Sequence, residues 1–142
     1  MIRFNFEDAK ESLPAKGGRY NLAVVAAEIK QSGERSKNPG RDYLKITLGF
    51  EDDPTTPNMY HSVPLPQEDD EKKSSDFKTL LLKRFLYAFK VNLPSGDYST
   101  EDLTFKILGA RAFVEVKQGT PNDNGDVYNE LVLAKVPNEP GR

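Results

Sequence analysis

Apolar and polar residues alternate along five segments of the chain, and each segment is predicted to be a β-strand. The second segment is the clearest, because Leu44, Ile46, Leu48 and Phe50 are separated by single polar or small residues. Since successive side chains of a strand point to opposite faces, this segment has one core face and one polar face that also carries Tyr43. The other four predicted strands cover residues 20–29, 59–65, 111–118 and 128–136. In the first strand, one face is expected to carry Tyr20, Leu22, Val24 and Ala26.

A helical period replaces this alternation near Asp76–Phe89 and predicts one helix between the third and fourth strands. Ser74 or Ser75 is expected to cap its N-terminus. The apolar stripe that runs from Phe77 to Phe89 is expected to fill the core. Three further residues widen the stripe and are candidates for a contact in a homo-oligomer: Leu82, Leu86 and Tyr87.

Five strands with one helix between the third and the fourth is the element order of an OB-fold, a small Greek-key barrel. An immunoglobulin-like sandwich would have about seven strands and no such helix. A ferredoxin-like domain would place a helix directly after its first strand. The prediction is therefore a mostly β, five-stranded Greek-key OB-fold barrel over residues 18–137, with an N-terminal arm, 1–17, and a short C-terminal tail, 138–142. In the arm, Phe4 and Phe6 alternate with polar residues and are expected to pair at a sheet edge.

Composition excludes several kinds of chemistry. The 142 residues include no cysteine and one histidine, so disulfides, thiolate metal sites and multi-histidine sites are excluded. That histidine, His61, shares a strand face with Met59 and Val63 and is expected to be packed. The acidic runs lack EF-hand spacing, and no phosphate loop or nucleophile elbow is present, so neither catalysis nor a cofactor is expected. No apolar run is long enough to span a membrane and no signal peptide is evident, which favours a cytoplasmic protein.

The charges are unevenly distributed around a net charge of −2. Residues 30–45 contain five basic residues against two acidic ones, whereas acid is concentrated at 51–53 and 68–71. In an OB-fold, oligonucleotides lie across strands 2 and 3 and between the loops that join strands 1–2 and 4–5. Tyr43 and Lys45 are predicted to face outward at that position, where single strands need cations for phosphates and aromatic rings for bases.

Short motifs along residues 17–137 also resemble those of phage-encoded OB-fold single-stranded-DNA-binding proteins of replication and recombination. They are Gly18-x-Tyr20, Ser36-Lys37, Gly40-x-x-Tyr43-Leu44-x-Ile46-x-Leu48, Leu82-x-x-Phe85, Leu108-Gly109-Ala110-Arg111, Phe113-Val114-Glu115-Val116 and Tyr128-Asn129-Glu130. The resemblance implies that the protein binds single-stranded DNA without sequence specificity in the host cytoplasm and has replication or recombination proteins as partners. It also implies Lys37, Tyr43 and Lys45 as binding residues. Strand geometry and loop charge add Arg35, Arg41, Tyr60, Phe113 and Lys117.

Two alternatives remain open at this point. The acidic balance of the chain also suits an OB-type protein-interaction module, such as a phage accessory factor that does not bind nucleic acid. A cold-shock-like module that binds RNA is the other alternative. Many single-strand-binding proteins recruit partners through an acidic C-terminal tail. Because this sequence ends Val136-Pro-Asn-Glu-Pro-Gly-Arg142, recruitment of that kind is not expected.

Overall fold

The computed structural model describes residues 1–7, 9, 11–34 and 39–137. Within these residues the protein is mostly β, with five strands and two helices. In chain order they are β1 (Gly18–Gln31), β2 (Asp42–Phe50), β3 (Met59–Pro64), α1 (Lys72–Ala88), α2 (Thr100–Ile107), β4 (Arg111–Gln118) and β5 (Asn129–Val132). All five predicted strands are present and β4 has the predicted bounds, whereas β5 is shorter than the predicted 128–136.

The strands form one antiparallel sheet in the order β3-β2-β1-β4-β5. Its two edge strands, β3 and β5, also contact each other, so the sheet curls into a nearly closed barrel. The inward side chains of β2 fill this barrel, since Leu44, Ile46 and Leu48 are fully buried. Burial of each such side chain contributes about 1.5–3 kcal/mol. The alternation in the sequence therefore determines which side of β2 faces the core.

An irregularity in β1 changes which residues face inward along its second half. The register with β2 shifts between Val24 and Ala26, as it does at a β-bulge. Leu22 and Val24 are buried before the shift, and Ala27 and Ile29 pack against the core after it. Ala26 is exposed, so the prediction that it shares a face with Leu22 and Val24 is wrong, because the extra residue reverses the alternation.

Helix α1 attaches to the barrel through its C-terminal half. Phe85 is fully buried and stacks on Phe89, with 4.4 Å between ring centroids. Phe77 lies eight residues earlier, about 12 Å along the axis, and is 57% exposed, so the prediction that it belongs to the core is wrong. The helix begins at Lys72 with Glu71 as its N-cap residue, not at a cap formed by either of the two predicted serines.

A second helix, α2, follows α1 where the sequence pattern predicts only one helix. Its N-cap is Ser99, whose hydroxyl accepts a hydrogen bond of 3.0 Å from the backbone N–H of Asp102. Leu103 and Ile107, one turn apart, bury the side of α2 that contacts the barrel. Two apolar positions on one face are too few to distinguish a helix of two turns from a loop in the sequence. None of the described helices is long and apolar enough to cross a membrane.

The N-terminal arm lies outside the sheet, at least over its described residues. Phe4 and Phe6 are exposed and stack on each other at 5.8 Å, so the prediction that they pair at a sheet edge is wrong. The arm is held where it enters the barrel by Asn129, which is buried at the start of β5. Its carboxamide accepts a hydrogen bond from the backbone N–H of Ala15 at 2.9 Å and donates one to the Ala15 carbonyl at 2.8 Å.

Candidate nucleic-acid interface

Three predicted binding residues lie together on the outward side of β2 and β3, a surface called here the β2–β3 face. It comprises Tyr43, Lys45 and Thr47 of β2 and Tyr60 and Ser62 of β3. Lys45 is opposite Ser62 and Tyr60 is opposite Thr47 in the antiparallel ladder, so Lys45 and Tyr60 are diagonal neighbours. The Lys45 Nζ lies 4.5 Å from the centroid of the Tyr60 ring, a cation–π contact.

The two tyrosines differ in accessibility. Tyr60 is 54% exposed, whereas Tyr43 is half-buried and is opposite Pro64 in the ladder. Tyr60 therefore offers the larger free aromatic surface. Glu28 of β1 is the register partner of Lys45 on the other side, and its carboxylate lies 3.7 Å from the Nζ of Lys30. Glu28, the acidic residue of β1 beside Lys45, is thus close to Lys30, a cation of its own strand.

Arg41, at the end of the β1–β2 loop, is held by acidic residues of the β3–α1 linker. Its guanidinium donates a hydrogen bond to Asp69 and lies 3.8 Å from the carboxylate of Asp70. Asp70 also accepts a hydrogen bond of 2.8 Å from the Nζ of Lys78. The hydrogen bond from Arg41 lowers the pKa of the Asp69 carboxyl, and that from Lys78 lowers the pKa of Asp70. Both carboxylates therefore stay ionised to a lower pH than an ordinary aspartate does, and Arg41 is already paired with these anionic groups.

The loop that carries most of the predicted basic residues is only partly described. Arg35 and Lys37, two of the predicted binding residues, lie outside the described residues. At the base of the loop the backbone N–H of Ser32 donates to the carbonyl of Arg41 at 2.8 Å, and that of Gly40 donates to the carbonyl of Ser32 at 2.9 Å. These hydrogen bonds close the base of the loop two residues before Tyr43.

The remaining predicted residues, Phe113 and Lys117, lie on another part of the barrel. Both face outward from β4, which is separated from β2 by β1. Phe113 is 57% exposed, with the Arg19 guanidinium 5.5 Å from its ring centroid. The Nζ of Lys117 lies 3.5 Å from the carboxylate of Glu130. With strands about 4.8 Å apart, β4 is about 10 Å from β2 through the sheet, so these two residues do not join the β2–β3 face.

Tyr128, which is not among the predicted binding residues, is a further candidate at this surface. It immediately precedes β5, is 63% exposed, and borders a cavity of about 320 Å³ together with Tyr60. The available signal was an aromatic residue next to the turn-forming segment 119–126, the loop that an OB-fold uses for binding. Only the contact of β3 with β5 brings the two tyrosines together.

His61 is oriented away from this surface, as predicted. It faces the barrel interior and its ring stacks on that of Phe85, with centroids 5.8 Å apart. Burial lowers the pKa of its imidazole.

The described residues contain no group of three or more histidine, cysteine, aspartate or glutamate side chains that could hold a metal ion. The candidate surface is therefore one of aromatic rings and a cation, arranged on the outside of a nearly closed barrel. These are groups that bind a ligand through stacking and charge. No protein-family model matches the chain, and no curated protein matches it significantly.

Proposed function

We propose that the protein is an OB-fold protein that binds single-stranded DNA without sequence specificity across its β2–β3 face. The observation that carries the proposal is the group formed by Tyr43, Lys45 and Tyr60, which combines two aromatic rings with a cation on one outward surface. The strand order β3-β2-β1-β4-β5 and the contact of β3 with β5 support a Greek-key OB barrel. In such a barrel this face is where oligonucleotides lie.

The contact between Lys45 and Tyr60 suits a site that exchanges one partner for another. An exposed cation–π contact is worth about 0.5–1 kcal/mol, whereas a base stacked on an aromatic side chain is worth about 1–3 kcal/mol. A base can therefore replace the lysine over the Tyr60 ring. The displaced ammonium group remains within reach of the phosphate that accompanies the base. Every base has a flat π-face, so this mode of binding requires no particular sequence.

The charges around the β2–β3 face predict that the affinity for single-stranded DNA depends only modestly on salt concentration. Lys30 is close to Glu28 and Arg41 is bound to Asp69 and Asp70, so that among the described residues Lys45 is the cation in contact with an aromatic ring of the face. Each phosphate neutralised on a single strand contributes about −0.7 to the slope of log K against log salt. The slope for this protein should therefore be shallow compared with that of a strongly basic protein.

The wider role that we propose is protection of single strands during phage replication and recombination in the host cytoplasm, with replication or recombination proteins as partners. This part rests on the resemblance of the motifs. A second candidate is an OB-type protein-interaction module, and the specific observation in its favour is that Asp69 and Asp70 already neutralise Arg41. The two candidates differ in one measurable property, since only the first binds an oligonucleotide.

The test is a polarisation titration of labelled oligothymidine, about 30 nucleotides long, at about 50 and 200 mM salt. Tyr60→Ala should weaken binding by about 5- to 140-fold with little change in the salt slope, because one stacked base is lost. Lys45→Ala should reduce the slope by about 0.7. Tyr87→Ala and Lys83→Ala are matched controls, since both residues are exposed on α1. Absence of binding at low salt would exclude the proposal, as would equal losses in Tyr60→Ala and Tyr87→Ala.

A further inference from the structure

The seam between the two edge strands of the barrel contains a cavity that the proposed mode of binding does not use. β3 and β5 contact each other but are the opposite ends of the hydrogen-bonded sheet. The cavity, of about 320 Å³, opens where both strands begin. Its lining residues are Asn58, Met59, Tyr60, Tyr128 and Asn129.

The lining combines two exposed aromatic rings with a buried apolar side chain. Tyr60 lies in β3 and Tyr128 immediately before β5, and they are 54% and 63% exposed, so both rings are accessible to a ligand. Met59 is 3% exposed and belongs to the core below. The carboxamide of Asn129 is occupied by hydrogen bonds to the backbone of Ala15. A ligand of this cavity must therefore bind mainly through flat apolar surface.

Continuity with the β2–β3 face identifies the class of ligand. Tyr60 belongs to both surfaces, and the Lys45 ammonium lies 4.5 Å from its ring. A nucleotide combines a flat aromatic base with a phosphate, so its base can lie against the tyrosine rings of the cavity while its phosphate stays near Lys45. Aromatic side chains that stack on an unstacked base are typical of single-strand recognition.

We propose that one base of the bound strand leaves the β2–β3 face and inserts into this seam between Tyr60 and Tyr128, above Met59. The proposal rests on the proposed function and deepens it, because it adds one discrete base-binding position to an otherwise non-specific surface. The chemical class of the ligand is a nucleobase that is unstacked from its neighbours. A ligand that has a phosphate but no base would not occupy this base-binding position.

The first test compares Tyr128 variants in the same oligothymidine titration. Tyr128→Ala should weaken binding about 5- to 140-fold, whereas Tyr128→Phe should bind like the wild type because stacking does not need the hydroxyl. Tyr87→Ala, which removes a ring that is 58% exposed on α1, should have no effect. If the wild type binds and Tyr128→Ala binds equally well, this inference is wrong and the proposed function stands. If the wild type does not bind, both are wrong.

The second test uses the wild-type protein, so that it does not depend on the folding of a variant. Backbone amide chemical shifts are followed during titration with thymidine monophosphate and, separately, with deoxyribose 5-phosphate, which lacks the base. The nucleotide should shift the amides of Met59, Tyr60, Tyr128 and Asn129, and the sugar phosphate should not. Shifts on the β2–β3 face without shifts at Tyr128 and Asn129, or identical shifts with both probes, would overturn the inference.

Discussion

Replacing Phe85 with alanine tests whether α1 closes one end of the barrel. Phe85 is fully buried, its ring stacks on Phe89 at 4.4 Å, and it also stacks on His61 of β3 at 5.8 Å. It therefore joins the helix to the sheet. Truncating a buried phenylalanine costs about 3–5 kcal/mol, from lost burial and from the cavity that remains. Typical domains unfold with about 5–15 kcal/mol, so the loss would be a large share of the total.

Thermal unfolding followed by circular dichroism measures this loss. In a domain of this size, each kcal/mol lowers the midpoint by about 3–4 °C, so Phe85→Ala should unfold about 10–20 °C below the wild type. Phe105→Ala is the matched control, because Phe105 lies in α2 and is 78% exposed. Both variants gain the same helix propensity, so their difference isolates the burial.

The control variant should differ from the wild type by no more than about 0.5 kcal/mol. Equal midpoints for Phe85→Ala and Phe105→Ala would contradict the packing of α1 against the barrel. A first transition confined to the helical signal, with the sheet intact, would likewise show that α1 and the barrel unfold independently.

Two further predictions concern titration and charge. Burial lowers the pKa of His61 from its ordinary value of 6.5, so the unfolded chain takes up the proton more readily. The free energy of unfolding should therefore decline as the pH falls through 6.5 and level off below the folded-state pKa. His61→Gln should lack this pH-dependent decline. A series of denaturation curves over this pH range that is the same for His61→Gln and the wild type would refute the prediction. Asp69→Asn should remove one of the two carboxylates beside the Arg41 guanidinium, so that oligothymidine binds more tightly and the salt slope steepens by up to about 0.7. Asp76→Asn on α1 removes an equal charge elsewhere, and an equal gain in both variants would refute the specific effect of Asp69.

The strands of this protein are encoded locally. The alternation of apolar residues in β2 is sufficient to predict that Leu44, Ile46 and Leu48 are buried, because neighbouring side chains of a strand must face opposite ways. The same rule predicts that Lys45 and Tyr60 face outward, as they do. It fails at Ala26, because a bulge depends on how β1 pairs with β2, and the pairing is not visible within one strand.

The helices were predicted less well because their ends and their buried faces depend on the barrel. A periodic stripe identifies α1, but the contact between α1 and the barrel decides that Phe85 is buried and Phe77 is exposed. α2 is too short to show a period, although its cap at Ser99 follows a common sequence rule. Propensity thus locates helical segments, and tertiary contacts decide which of their residues are buried.

By itself the sequence determined the five strands, the outward position of the candidate binding residues Tyr43, Lys45 and Tyr60, and the inward position of His61. Only the tertiary structure decided that Arg41 is bound to Asp69, 28 residues away, and that Tyr128 shares a cavity with Tyr60. The physical reason is range. The direction of a side chain from a strand follows from its immediate neighbours, whereas its partner across the surface depends on how the whole sheet curls and where its edges meet.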